Sequence, residues 1–268
     1  MADFDVAVIG GGFAGLAAAT ALAEKGRRVL VLEARGQLGG RATAFADRES
    51  GELVDNGQHV LFGCYHETFA LLRRIGAEAN VRVQPALEVP FLDPSGERSI
   101  LKCPALPSPL HLLAGVLRWD ALTWTERLRV LRIARPLMAA RGSFRLKAET
   151  TGEAEATGEA GRETVSEWLT RYGQTGRLRE WLWEPLAVAA LNQSPDEAAA
   201  APFVRVLAQM FGPDRSFSSL VLPVRPLHEM YALPARRYLE ARGGEVHLNA
   251  LARIRIERGV VAGIDVRG

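Results

Sequence analysis

The sequence predicts an α/β fold in which a Rossmann-like nucleotide-binding domain is split by an inserted α+β, partly helical domain. Three observations predict it. The chain opens on a strand, a glycine turn, a helix and a second strand; its middle carries a long leucine-, arginine- and tryptophan-rich helical stretch; its end returns to a helix–strand–hairpin pattern. With 268 residues, 48% of them hydrophobic, the chain exceeds the common single-domain size and is long enough to bury a full core.

"FDVAVIG" is a short β-branched run of the kind that forms a buried parallel strand. "GGFAGLAAATALAEKG" follows as a helix rich in small residues and closed by Gly26, and "RRVLVLEA" is a second buried strand. Gly10, Gly12 and Gly15 stand in the G-x-G-x-x-G pattern at the first turn. Gly10 permits the tight turn, Gly12 lets the backbone approach a pyrophosphate, and Gly15 lets the helix lie close on the strand. Phe13 and Ala14 fall at the helix N-terminus, where amide donors and the helix dipole favour an anion. Glu33 ends the second strand, about where a carboxylate takes ribose hydroxyls. A glycine-rich turn that only packs a helix is the other reading, and it leaves Glu33 unexplained. Residues 6–23 are also uncharged and about long enough for a membrane span. Three consecutive glycines in their middle argue against one continuous helix, and Asp3 and Asp5 before them argue against a signal peptide.

The bulk composition narrows the function classes. A formal net charge of +2 gives no mandate for nucleic acid. The basic residues are almost all arginine, with lysine only at Lys25, Lys102 and Lys147. Cys64 and Cys103 are the only cysteines; they supply neither a disulfide framework nor a thiolate metal site, and they fit a reducing cytoplasm. The five histidines include no helical pair at ligand spacing, so no metal site is expected.

Beyond Glu33, "EARGQLGGRATAF" places Gly39, Gly40 and Arg41 in a loop. Two glycines allow close backbone approach, and the arginine either neutralises a second phosphate or holds the turn. Taken alone, the loop reads equally as a solvated Gly-Gly turn. "DNGQHVLFGCYHETF", residues 55–69, sets Asp55, Asn56, Gln58 and His59, pivoting on Gly57, against Val60, Leu61 and Phe62. It reads either as a solvated turn or as polar groups gathered around a buried ligand. His59 is then either a core histidine satisfied by backbone or a group facing a cavity.

"TFALLRRIGA" reads as a short amphipathic helix, and "VRVQPALEVPFLDPSGERSILKCP" as strand pieces around a D-P-S-G turn. From Pro104 to Arg141 the chain reads as helical, with Ser108 and Pro109 as cap and first position and Thr123 with Glu126 as a capping box. Leu110, Leu113, Leu117 and Trp119 form an apolar stripe whose readings are core packing, access for a lipid, or shallow contact with a membrane surface. Residues 147–163 repeat T-G-E-A in small and acidic residues and are expected to be a mobile loop. "EWLWEPLAVAALN" holds Trp181, Trp183 and Pro185, read either as packed aromatics or as the wall of an apolar tunnel. "YLEARGGEVHLNALARIRIERGVVAGIDVRG" reads as helix, strand and a hairpin turning at Arg258 and Gly259. The expected layout is a nucleotide-binding first segment 1–70, an inserted domain 71–234 and a second nucleotide-binding segment 235–268.

Residues 6–59 resemble the FAD-binding start of the amine oxidase and phytoene desaturase superfamily, whose E-A-x-x-x-x-G-G-R element stands here as Glu33, Ala34, Gly39, Gly40 and Arg41. The segments "VDNGQHVLFGCYHETFALLRRIGAE", "PFLDPSGERS", "PALPSPLHLL", "EPLAVAALNQSP" and "YLEARGGEV" are together similar to the hydroxysqualene dehydroxylase family, bacterial flavoproteins of hopanoid biosynthesis. The resemblance implies FAD as cofactor, with Arg35 added to the binding residues, Gly57 close to the flavin ring, Gln58 and His59 facing the reaction cavity, and Ala252 against the adenine. It implies reduction of hydroxysqualene to squalene with loss of water; for that chemistry His59 is the candidate proton donor and Asp55 the candidate to orient it. Flavin supplies a hydride, and aromatic faces suit a carbocation. A carotenoid (phytoene)-type desaturase or isomerase and a non-catalytic FAD-binding protein of a lipid pathway are the alternatives. The implied setting is cytoplasmic, at the inner face of the membrane, beside other squalene and hopanoid enzymes. The family's later elements, including a glycine–aspartate segment against the flavin, have no counterpart before Gly268, which implies an incomplete FAD-binding domain.

Overall fold

The computed structural model describes residues 4–57, 59–93, 95–140 and 163–267. Gln58 and residues 147–162 of the expected loop at 147–163 lie outside the described residues. In chain order the strands are β1 (Val6–Ile9), β2 (Val29–Leu32), β3 (Ala44–Ala46), β4 (Leu53–Asp55), β5 (Leu61–Phe62), β6 (Val81–Val83), β7 (Glu88–Leu92), β8 (Arg98–Lys102), β9 (Leu220–Pro223), β10 (Glu245–His247), β11 (Leu251–Glu257) and β12 (Val260–Arg267). The first helices are α1 (Phe13–Glu24), α2 (His66–Arg74), α3 (Leu110–Arg118) and α4 (Trp124–Arg129). The chain divides into two compact units, one of Met1–Leu61, Tyr65–Val83 and Val221–Gly268, the other of Phe62–Cys64 and Gln84–Leu220.

The first unit is built on a parallel sheet in the order β1-β2-β10, with Val6 opposite Val29 and Val246 opposite Val31. Such a sheet needs a covering layer, and α1 supplies it: Leu16, Ala19 and Ala23 pack on Val29 and Val31. The same core takes Leu71 and Leu72 from α2, Ile75, Ala77, and then Leu227, Met230, Tyr231, Ala235 and Leu239 from the segment before β10. That shared core moves the unit boundaries to 83/84 and 220/221, against the expected 70/71 and 234/235. The antiparallel pairing of Val81 with Pro223 and Val83 with Val221 lies at these boundaries. At the far end, β11 and β12 form a hairpin whose turn has Arg258 at φ 53° and Gly259 at φ 79°. Two successive positive φ values are what a tight hairpin turn demands, and the expected turn position is met.

In the second unit, β7 and β8 pair antiparallel around Asp93, whose carboxylate accepts from the Ser95 and Glu97 amides. Helix α3 packs on β8 because residue 115 is glycine; a side chain there would collide with the Cys103 sulfur. The expected cap at Ser108 is displaced. The helix begins at Leu110 with Pro109 as its cap residue, and the Ser108 hydroxyl instead donates to the carbonyl of Gly212. The Thr123–Glu126 capping box forms as expected at α4. A second box, Thr164 with Glu167, starts the helix Val165–Arg171; its T-x-x-E signal is in the sequence and was not among the expectations. Wide π-type turns precede the helices Glu184–Leu191 and Leu233–Glu240, each of which then carries a proline in its first turn.

Candidate functional site

The glycine turn after β1 and the Gly-Gly loop after β2 lie against one another within the first unit. Gly39 N–H donates to Gly11 O at 2.9 Å, Gly12 and Gly39 form a parallel bridge, and a β-carbon on Gly40 would stand 3.1 Å from the Gly12 α-carbon. Gly15 performs the packing role read from the motif: a side chain there would overlap the Gly10 carbonyl oxygen. Among the described residues no side chain caps α1, and its first backward bond runs from Leu16 N–H to Gly12 O. The amides of Phe13, Ala14 and Gly15 therefore have no intrahelical acceptor and are directed out of the N-terminus, as an anion site requires. Gly10, at φ 100°, has open space where its side chain would be. These features fit a dinucleotide pyrophosphate.

Glu33 is buried and holds the strand end rather than projecting from it. One carboxylate oxygen accepts from Gly11 N–H at 2.6 Å and the other from Arg35 N–H at 2.9 Å. Residue 11 must be small for this, since a β-carbon on Gly11 would meet the Glu33 carboxylate at 3.2 Å and run into Leu38. After β10 the chain turns at Asn249, φ 55°, and closes on the same place: Asn249 N–H donates to Arg35 O and Ala250 N–H to Glu33 O. Ala252 follows in β11, opposite Val266. Ala34, Arg35 and Arg41 are exposed, and the Arg35 guanidinium reaches the Gly40 carbonyl at 3.5 Å.

A residue the sequence reading missed holds the loop. Tyr231 is fully buried, its hydroxyl donates to Gly39 O at 2.8 Å and lies 3.2 Å from Ala42 O, and its ring packs on Phe13 with centroids 4.4 Å apart. Burial raises its phenol above the ordinary range, so the hydroxyl stays a donor. No local signal marks this tyrosine, which sits 192 residues from its acceptor.

The 55–59 stretch resolves into separate anchors. Asp55 Oδ1 accepts from Leu227 N–H at 2.8 Å, and Asn56 Nδ2 donates to Arg41 O at 3.1 Å. His59 Nδ1 lies 2.8 Å from Gly57 O. A carbonyl only accepts, so Nδ1 carries a proton in this contact and Nε2 lies outside it. The expected Asp55–His59 pairing is replaced by these two bonds, because the turn at Gly57, φ 83°, leaves Asp55 facing Leu227. Open space adjoins Gly57. Neither the core-histidine reading nor a fully solvated turn describes His59, which is partly exposed in a turn tied down at Asp55 and Asn56.

The second unit contains an apolar cavity of about 180 Å³. Its walls include Leu112, Val116, Leu137, Trp183, Met210 and Cys103, and among the described residues no charged one lines it. Of the aromatic pair in "EWLWEP", Trp183 is in the wall, its indole N–H held by Gln174 Oε1 at 3.0 Å. Trp181 packs with Phe91 and Trp119 instead. Burial pushes the Cys103 and Cys64 thiols up to about 11, so both are protonated at neutral pH. His111, buried beside Ser218 Oγ at 2.8 Å, is shifted down by burial and is neutral. Among the described residues no cluster of histidine, cysteine and carboxylate side chains could hold a metal ion. Among them, too, no helix is long and apolar enough to cross a membrane, and residues 6–23 form β1, the glycine turn and α1.

Comparison with known proteins agrees with this geometry. The chain is 30% identical over 248 residues to a zeta-carotene desaturase of Solanum lycopersicum, covering 91% of this chain and 40% of that protein. It is 28% identical over 248 residues to a 15-cis-phytoene desaturase of Synechococcus elongatus, covering 91% of this chain and 49% of that protein. The chain thus spans less than half the length of these relatives. Among solved structures, a triple mutant of putrescine oxidase superposes with a TM-score of 0.64 at 20% identity, over 98% of this chain and 54% of that one, which shows a shared fold. Residues 13–264 match the family of flavin containing amine oxidoreductases. The glycine cradle, the strand-end carboxylate and this match agree: the chain belongs to the flavin containing amine oxidoreductase family, an FAD-dependent oxidoreductase family with an α/β FAD-binding fold.

Proposed function

We propose that this chain is part of an FAD-dependent oxidoreductase acting on an apolar isoprenoid, with hydroxysqualene reduced to squalene and water. The observation that supports an isoprenoid is the cavity in the second unit, whose lining among the described residues holds leucine, valine, isoleucine, methionine and aromatic side chains and no charge. A dry cavity of roughly 150 Å³ takes a benzene-sized apolar group, so this one suits roughly one or two isoprene units. The segments that resemble the hydroxysqualene dehydroxylase family, "DNGQH" among them, favour that substrate. Gly10, Gly12, Phe13, Ala14 and Gly15 would take the pyrophosphate, Glu33 to Arg35 and Ala252 the adenosine half, and Gly39 to Arg41, Gly57 and Gln58 the flavin half.

Reduced FAD held by these residues would supply a hydride to the substrate. His59 would give its proton to the departing hydroxyl, which leaves as water. With Nδ1 bonded to the Gly57 carbonyl, that proton comes from Nε2 of the charged ring. Asp55 would act at one remove, by fixing the turn that carries His59.

A second reading rests on the 30% identity to a zeta-carotene desaturase: oxidative removal of hydrogen from a carotenoid precursor. The complete polypeptide, given hydroxysqualene under reducing conditions and phytoene or zeta-carotene under oxidising ones, separates the two by mass analysis of products. Squalene from the first supports the proposal. A desaturated carotenoid from the second, with no squalene, replaces it. Retained flavin with neither product leaves an FAD-binding protein without this catalysis.

A further inference from the structure

Gln174 is fully buried in the second unit, and both ends of its side-chain amide are bonded. Nε2 donates to Arg129 O at 2.8 Å and to Tyr172 O at 2.9 Å, while Oε1 accepts from the Trp183 indole N–H at 3.0 Å. Carbonyls only accept and an indole nitrogen only donates, so a single orientation of the amide satisfies all these partners. Gln174 does not itself line the apolar cavity, but what it ties together does. Trp183 is in the wall, and the chain just after Arg129 supplies Val130, Leu131, Ile133 and Leu137 to it.

Among the described lining residues, Trp183 is the only one whose side chain carries an N–H or O–H group; the rest present hydrocarbon or sulfur. An indole N–H left free in such a wall is a buried donor without an acceptor, and it favours any water or hydroxyl oxygen that comes within reach. The bond to Gln174 Oε1 takes that donor out of the cavity and leaves the ring's apolar surface to face it. An aliphatic side chain at 174 would fill the same space and tie up neither the indole nor the two carbonyls. The amide therefore does something that packing alone does not require.

We propose that Gln174 determines specificity in this cavity: by holding the Trp183 N–H, it makes the cavity a seat for a hydrocarbon end and turns away a hydroxylated one. The inference rests on the reading of the cavity as the place of an apolar isoprenoid, and it names which part of that molecule enters. In a substrate with one hydroxyl, a hydrocarbon terminus occupies the cavity and the hydroxyl-bearing carbon stays outside it. Discrimination of this kind depends on which polar groups a site leaves unpaired, and Gln174 leaves none on the indole.

The purified full chain should take up myrcene, an isoprenoid hydrocarbon, in preference to geraniol, an alcohol of similar size, when partition of each is measured by gas chromatography. Gln174→Met fills the space without an acceptor, so the freed indole N–H meets the geraniol oxygen and the preference should shrink about tenfold. Adding Trp183→Phe to that variant removes the N–H and should restore the preference. Thr164→Ala, which strips the cap from the helix Val165–Arg171, should lower the melting temperature and leave the preference unchanged. A folded Gln174→Met chain with the parent's preference would overturn the inference, and so would a double variant that restores nothing. If Gln174→Met does not fold, the parent decides. Its Trp183 indole N–H resonance, assigned with Trp183→Phe, should resist hydrogen exchange and respond alike to both probes. Rapid exchange, or a shift caused by geraniol and not by myrcene, would overturn the inference. Uptake of neither probe by the parent would instead overturn the isoprenoid reading of the cavity, and this inference with it.

Discussion

Gly40 stands so close to Gly12 that a β-carbon on Gly40 would lie 3.1 Å from the Gly12 α-carbon, whereas one on Gly12 would meet the Gly40 α-carbon at 3.8 Å, ordinary contact. The two glycine elements of the sequence therefore form one surface, and the positions in it differ in what they tolerate. Gly12 has φ −80° and room for a methyl group; Gly15 has neither room nor an alternative, because the Gly10 carbonyl occupies the space.

This asymmetry separates binding from folding. Gly12→Ala should melt close to the parent protein but lose most of its FAD, because the methyl group would stand between backbone and pyrophosphate. Gly15→Ala should lower stability by about 1–3 kcal/mol through overpacking. Flavin absorbance and thermal melting on the same two samples check both. A Gly12→Ala protein with full flavin would remove that residue from the cofactor site.

Tyr231→Phe tests the anchor on the Gly-Gly loop. The ring packing on Phe13 survives, but Gly39 O loses its hydroxyl donor in a buried setting. The expected cost is about 1–2 kcal/mol of stability. Flavin should bind more weakly as well, since the loop it would lie against is no longer held. Denaturant melts and flavin titration measure the two effects.

Asp55 and His59 are expected to part company. Asp55→Ala leaves the Leu227 amide without its acceptor and should cost about 1–2 kcal/mol. His59→Ala removes only a bond to a carbonyl two residues away, so melting should hardly change. Turnover in the complete enzyme should nevertheless fall by ~10²–10⁴-fold if His59 is the proton donor, with flavin retained. Undiminished turnover in a stable, flavin-loaded His59→Ala enzyme would exclude it from the chemistry.

The two thiols predict a pH dependence with a definite sign. Burial raises both from 9.0 to about 11, so the folded protein holds protons that the unfolded chain releases. Their contribution to stability is fully present below pH 9 and is lost as pH climbs toward about 11. A Cys64→Ala, Cys103→Ala variant should show a shallower decline in melting temperature across that window. At pH 8 a thiol reagent should be nearly unreactive with the native chain and should titrate both thiols after unfolding.

Much of the local structure was legible in the sequence because its signals are local. The G-x-G-x-x-G turn, the buried β-branched strands, the Thr123–Glu126 box and the Arg258–Gly259 turn each depend on residues within a few positions of one another. Backbone sterics and hydrogen bonding decide such features before any packing occurs. Tertiary structure alone decided the rest. It seated Tyr231 under Gly39, gave Asp55 to Leu227 across 172 residues rather than to His59 four positions away, and carried the first unit's core to Val83 and back to Val221. It also assembled a cavity from side chains between Leu87 and Phe211 and left a second apolar stripe of 124–140 facing outward. Hydrophobic burial has no direction and no fixed partner in sequence, so the periodicity of that segment marked an apolar face while only the packed chain determined which face the core would take.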